Sequence, residues 1–283
     1  MSDKILFSDR ELRERIIDIV QSVRDQVPRD VTDFDSQKHF GIQICRGKLP
    51  VDKDGAYIEN EATIIINDQI TSDERYKFTV FHELSHHLIR KDNDLYSYLN
   101  DAYLATSDFE NMIELMCNIG AAEFLLPRDT VRGLIEAEGF SLNLVLRLCQ
   151  SDAVSGPVAL IQLIQCAPNH CYGVVCEYGI PPISAGAIQE TFIDLHPEYA
   201  LYILYAIWSP SAKYKIARFT PIPNNHLLMQ AFTDNVTVKG TDKIPFHSGT
   251  DWQVPAEALR FRGKVYGIFN ATPPPDLRQL RFL

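Results

Sequence analysis

Hydrophobic residues recur at helical spacing through Leu12, Ile16, Ile17, Ile19, Val20 and Val23, up to Pro28, and the preceding Ser8-Asp9-Arg10-Glu11 has the capping-box form. This predicts a first helix. The period then shortens: FGIQICRG over 40–47, and AYIE and ATIIIN joined around Asn60-Glu61, alternate or run apolar with β-branched residues. A small sheet containing a hairpin is expected there. From Ser72, a capping residue followed by Asp73 and Glu74, the apolar positions Phe78, Phe81, Leu84, Leu88 and Ile89 return to helical spacing. Another helix is predicted over SDFENMIELMCNIGAAEFLLP, opening on Ser107 with Glu110 and closing before Pro127; apolar residues nearly encircle it, so burial is expected. PRDTVRGLIEAEG, ending at Gly139, and SLNLVLRLCQSDAVSGPVALIQLIQ, two short helices about SDAVSG, continue the helical region in a helix-turn-helix-like pattern. Beyond Cys171 the pattern changes to strands in CYGVVCEYG, YILYAIWS, KYKIARF and ALRFRGKVYGIFNAT, with turns at Ser209 to Ala212 and Gly263-Lys264. The chain reads as α+β, with a first domain over 1–127, a helix-turn-helix-like segment over 128–168 and a second domain over 169–283.

The helix after Ser72 carries FTVFHELSHHLIR. His82 and His86 stand four residues apart and so project from one side of it, where two imidazoles can converge on one ion. Glu83 lies too far round to be an equal ligand but can reach a water held by the metal. This is the H-E-x-x-H arrangement in which histidine nitrogens hold zinc and the glutamate acts as general base. His87 points about a hundred degrees from His86 and reads as a packing or surface residue. A solvated helix face is the bland alternative, because short motifs recur by chance. A catalytic site also needs a third ligand. Glu114, in the middle of an otherwise apolar helix, fills that role on the ground that a buried carboxylate requires a cation; a buried ion pair with Arg75, Lys77 or Arg90 is the alternative. Asn118, one turn later on the same side, is placed to steady Glu114 or a ligand histidine.

Composition narrows the classes. The 283 residues are 46% hydrophobic, enough for a substantial core, while no run of eighteen apolar residues and no secretory leader is visible, so a cytoplasmic protein without membrane contact is expected. Six dispersed cysteines read as reduced thiols. A net charge of −10 opposes broad contact with phosphates, and the second helix of the helix-turn-helix-like segment begins Pro157-Val158-Ala159-Leu160 with little to read bases, so direct DNA binding is not expected. The cluster Cys166, His170, Cys171 and Cys176 lacks a C-x-x-C pair and lies partly in an apolar strand, which favours a structural role. The apolar tail Leu277 to Leu283 has the character of a packing or partner-binding segment.

RYKFTVFHELSHHLI followed by IELMCNIGAAEFLLP resembles the ImmA/IrrE family of bacterial zinc metallopeptidases, whose pattern is R-x-x-F-T-x-x-H-E-x-x-H and then E-x-x-x-N-x-x-A-A-x-x-L-x-P. The chain supplies Arg75, Phe78, Thr79, His82, Glu83, His86, Glu114, Asn118, Ala121, Ala122, Leu125 and Pro127 at those places. DGAYIENEATIIIN is similar to the family's hairpin before the active-site helix, and the order of segments looks closest to the IrrE-like branch. The resemblance implies that His82, His86 and Glu114 bind Zn2+, or Mn2+ or Fe2+ in vitro, and that Glu83 is the base. Cys117 departs from the pattern, standing where many members have a small residue, and reads as a small buried residue, not a ligand. Tyr96, Tyr98 and Tyr103, in the loop expected between the helices, are candidates for stabilising the oxyanion.

The resemblance further implies a substrate, a helix-turn-helix (Xre-type) transcriptional repressor whose cleavage releases DNA-damage or stress-response genes, and a GAF-like α/β sensor domain at the C-terminal end. Three rivals stay open: a zincin-like module that grips a repressor or DNA without cutting, a zinc hydrolase of small molecules, and a transcription factor.

Overall fold

The computed structural model describes residues 9–27, 31, 35–103, 108–151, 154–182, 199–212, 214–246 and 252–271. Ser8, Ser107 and the tail Leu277 to Leu283 lie outside them. Two compact units divide the chain, one comprising Met1–Val131 with Leu148–Gln162, the other Arg132–Arg147 with Leu163–Leu283. The segment 128–168 thus contributes to both.

The first unit opens with α1 (Asp9–Arg24) and a one-turn α2 (Ser36–Phe40). Three strands follow, β1 (Gln43–Gly47), β2 (Gly55–Ile58) and β3 (Thr63–Asn67), in the order β1-β3-β2. The expected hairpin is the antiparallel pair β2 and β3, while β1 runs parallel to β3. Central β3 is the most apolar of the three, with Ile64 and Ile66 fully buried, as a strand paired on both edges requires. At its end Asn67 donates from Nδ2 to the carbonyl of Lys53 at 2.8 Å, and its backbone N–H bonds Asp54 O at 2.8 Å, so the loop before β2 is held in a fixed shape.

Helix α3 (Asp73–Lys91) starts at Ser72, whose hydroxyl accepts from the Arg75 N–H, and packs on β2, β3 and α5 (Asp108–Leu125). Between them lies α4 (Asn93–Tyr103), which replaces the loop expected at Tyr96, Tyr98 and Tyr103; its apolar Leu95 and Leu99, four apart, bury one stripe. Phe81 of α3 stacks on Phe124 of α5, ring centroids 4.9 Å apart. One turn earlier on α5, Gly120 meets α3: a Cβ there would lie 2.5 Å from Ser85 Oγ, a separation only hydrogen permits.

Helices α6 (Arg128–Glu138), α7 (Asn143–Ser151) and α8 (Gly156–Gln165) follow. Gln162 of α8 donates to Glu123 of α5 at 2.9 Å, and the fully buried Glu123 carboxylate also accepts from Gln21 of α1 and from the Arg128 N–H. One carboxylate therefore ties together α1, α5, α8 and the start of α6.

The second unit is built on an antiparallel sheet of β4 (Cys171–Gly179), β5 (Ala200–Trp208), β6 (Val238–Lys243), β7 (Gln253–Phe261) and β8 (Lys264–Asn270), in the order β5-β4-β8-β7-β6. Helix α9 (Leu227–Asp234) packs on it through Leu228 and Ala231. Lys213 lies outside the described residues, and the rest of KYKIARF, 214–219, is not a strand: Phe219 takes φ 63, incompatible with extended pairing, and 219–222 meets β5 through only a few backbone bonds. Cys171 and Cys176 are buried in β4, burial pushing the Cys171 thiol up to about 12, and neither has the character of a reactive thiol. Among the described residues no helix is long and apolar enough to cross a membrane.

Glu123→Ala would leave Gln162 and Arg128 without their buried acceptor and is expected to destabilise the first unit by about 3 kcal/mol, read as a lowered urea midpoint with helical content retained in buffer.

Candidate metal centre

Helical spacing alone puts His82 and His86 of α3 side by side, and their Nε2 atoms lie 3.3 Å apart. The rest of the site comes from α5, held close by Gly120. Glu114 Oε2 is 3.2 Å from His82 Nε2, and Oε1 is 3.4 Å from His86 Nε2. Three donors bound to one tetrahedral zinc at about 2.0–2.1 Å would stand about 3.3 Å from one another, and the three distances here, with one Glu114 oxygen facing each histidine, are close to that value. Nitrogen and carboxylate oxygen together fit zinc and also admit manganese or iron. The Asn118 amide oxygen is 3.1 Å from His82 Nδ1. Because that oxygen only accepts, Nδ1–H donates to it, and Nε2 is the ring nitrogen left facing Glu114 and His86.

The expectation that Glu114 is buried in its helix does not hold. Its side chain is 53% exposed, facing the cleft, while the apolar residues around it enter the core on the other sides of α5. Nor does it pair with arginine: Arg75 forms a two-pronged bond to Asp54, at 2.7 and 2.6 Å, and Arg90 pairs with Glu59 at 2.7 Å. Burial disfavours the Glu114 anion, but hydrogen bonds and charge from His82 and His86 outweigh it and hold the carboxyl far below its usual range. Burial likewise opposes protonated His82, and the hydrogen bond and charge of Glu114, with help from Glu83 and Asn118, reverse that and raise it.

Glu83 is 7% exposed. Burial pushes its carboxyl up, with the Glu114 charge adding, while the two histidines and a backbone bond from Tyr57 pull it down. A carboxylate raised in this way is suited to taking and returning a proton. Its position depends on β2: a Cβ on Gly55 would lie 2.7 Å from both Glu83 Oε1 and Thr79 Cγ2. Gly55 was not singled out in the sequence, where its only signal was the Asp-Gly before an apolar run.

These groups form the floor of a cleft of about 600 Å³, bounded by β2 and the loop before it, α3, and the start of α5. Arg75 clamps that loop through Asp54, and Phe78, Phe109 and Ile113 give the cleft an apolar side. Of the three tyrosines, only Tyr96 lines it; Tyr98 and Tyr103 stack edge to face on one another. The Tyr96 hydroxyl accepts from Arg90 at 2.8 Å, which leaves its own proton to donate. His87 turns away, buried, with Nδ1 2.8 Å from the Tyr57 hydroxyl, and burial with the Lys91 charge lowers it to about 4. Cys117, fully buried, lies beside the histidines: its Sγ and one ring nitrogen of each histidine fall within 4.8 Å of one another.

Residues 37–145, which contain the paired histidines, Glu83 and the three-stranded sheet, match the IrrE N-terminal-like domain family. The chain is 30% identical over 223 residues to the radiation response metalloprotease IrrE of Deinococcus radiodurans, an alignment covering 78% of this chain and 66% of that protein. It is 30% identical over 218 residues to the radiation response metalloprotease IrrE of Deinococcus deserti, covering 77% of this chain and 74% of the relative. The chain belongs to this IrrE-like family, and spans just under two thirds of the length of the Deinococcus radiodurans protein. A solved Mycobacterium tuberculosis transcriptional regulator shares the fold, with TM-score 0.54 and 12% identity over 93% of this chain and 81% of the other.

Asn118→Ala, which frees the His82 ring, is expected to weaken Zn2+ binding about 10–100-fold in competition with a chromophoric chelator. Gly55→Ala is expected to destabilise the fold by about 1–3 kcal/mol in urea titrations, by forcing Glu83 and β2 apart.

Proposed function

We propose that the chain is a metal-dependent endopeptidase in which His82, His86 and Glu114 hold Zn2+ and Glu83 is the general base. The observation that carries this reading is the mutual spacing of the three donors at the floor of an open cleft, with a raised, buried carboxylate beside them. When bound, zinc polarises the scissile carbonyl and acidifies water. Glu83 takes a proton from the attacking water and returns it to the leaving amine. Asn118 keeps His82 in the tautomer that offers Nε2, and the clamp between Arg75 and Asp54 holds the rim against which an extended peptide lies. The Tyr96 O–H, with Arg90 behind it, is the donor best placed to meet the developing oxyanion. A substrate-sized cleft bordered by a strand favours a polypeptide over a small molecule.

The substrate proposed is a helix-turn-helix repressor of the Xre type, whose cleavage releases DNA-damage or stress-response genes. Membership of the IrrE-like family supports this, since the Deinococcus relatives are named for a radiation response. The second unit is proposed to be a GAF-like sensor, a reading supported by its five-stranded antiparallel sheet with α9 packed on it.

The test mixes purified protein, with and without Zn2+, with the helix-turn-helix repressors encoded by its own host. A single metal-dependent cut is expected, and Glu83→Gln should lower its rate by at least about 10²-fold while still binding metal. Absence of cutting by metal-loaded wild type, with repressor retained on the protein, would replace the peptidase by a binding module.

A further inference from the structure

We propose that Cys117 is a fourth protein ligand, closing the centre around the metal when no substrate is bound. This rests on the metal-centre reading above. Glu114, Cys117 and Asn118 occupy positions i, i+3 and i+4 of α5 and so share the face turned toward α3. Two of them already engage the histidine pair, Glu114 at Nε2 of both rings and Asn118 at Nδ1 of His82. The third brings a sulfur within 4.8 Å of the same imidazoles. The exposed carboxylate approaches from the cleft and the fully buried thiol from the core, so the two flank the histidines from different sides. Helix α5 and the packing around this fully buried residue keep the thiol there, and among the described residues it has no hydrogen-bond partner.

In a tetrahedral zinc site with Zn–S about 2.3 Å and Zn–N about 2.0–2.1 Å, sulfur and nitrogen stand about 3.6 Å apart, so Sγ would move on the order of 1 Å to bind. The thiol proton leaves to solvent as the bond to the metal forms. Two consequences follow from the donor set. Sulfur favours zinc and cobalt over manganese, which the two histidines and Glu114 alone would discriminate less. Four protein donors also make a closed site, so the thiolate must yield its position to water before a peptide can be cut.

Cobalt titration of the full chain separates this proposal from the reading beneath it. Wild-type protein is expected to show visible d–d bands together with a near-ultraviolet sulfur-to-cobalt charge-transfer band. Cys117→Ala and Cys117→Ser should keep the visible bands and lose the near-ultraviolet one, and should bind Zn2+ about tenfold or more weakly with Mn2+ affinity unchanged. The serine variant keeps the size of the buried side chain, so the test survives if alanine impairs folding. Visible bands in wild type without charge transfer, or charge transfer that persists in both variants, would overturn the thiolate ligand and leave the metal centre standing. No visible bands in wild type, and none in His86→Ala, would overturn the metal centre and the proposal with it.

Discussion

Where α5 crosses α3, Gly120 faces Ser85 with no room for a Cβ, and Phe81 stacks on Phe124 one turn away. That crossing fixes the relation between two helices distant in sequence, and the site exists only because of it. A histidine pair on α3 can be placed by local helix geometry, but Glu114 must be brought beside it from α5. The glycine sets the depth of approach and the aromatic stack sets the rotation. Glu123, bound to groups from three other elements, holds the far end of α5 in place.

The β-sheet supplies the opposite wall. β2 packs against α3 only because Gly55 leaves space for Glu83, and the loop before β2 keeps its shape because Asn67 and Arg75 hold it from two directions. The same burial that raises the Glu83 carboxyl thus has an identifiable source in the edge strand, and the charge of Glu114 strengthens it. His82, Glu83 and Glu114 thus share one small volume, in which the charge of each acts on the protonation of the others.

Much of this was legible in the chain. The two periodicities placed α1, the hairpin, α3 and α5 within a few residues, since each buries a continuous apolar stripe. Elements whose pattern is weak were missed: β6 is an edge strand with few apolar residues to betray it, and α9 is short and capped by His226, an unusual capping residue. KYKIARF failed in the other direction, because its alternation is genuine but the backbone turns at Phe219.

In the site, the sequence alone determined that His82, Glu83 and His86 share a helix at spacings suited to one ion, because helix geometry is local. It also drew attention to Glu114 and Asn118, although the expectation that Glu114 lies buried had the wrong environment: an encircling apolar pattern does not say which side opens to a cleft. Only tertiary structure decided that Gly55 and Asn67 shape the wall, that Tyr96 and not Tyr98 or Tyr103 faces the cleft, and that Cys117 stands beside the histidines. Each of these depends on the distance between elements far apart in the chain, and periodicity within one element carries no information about that distance.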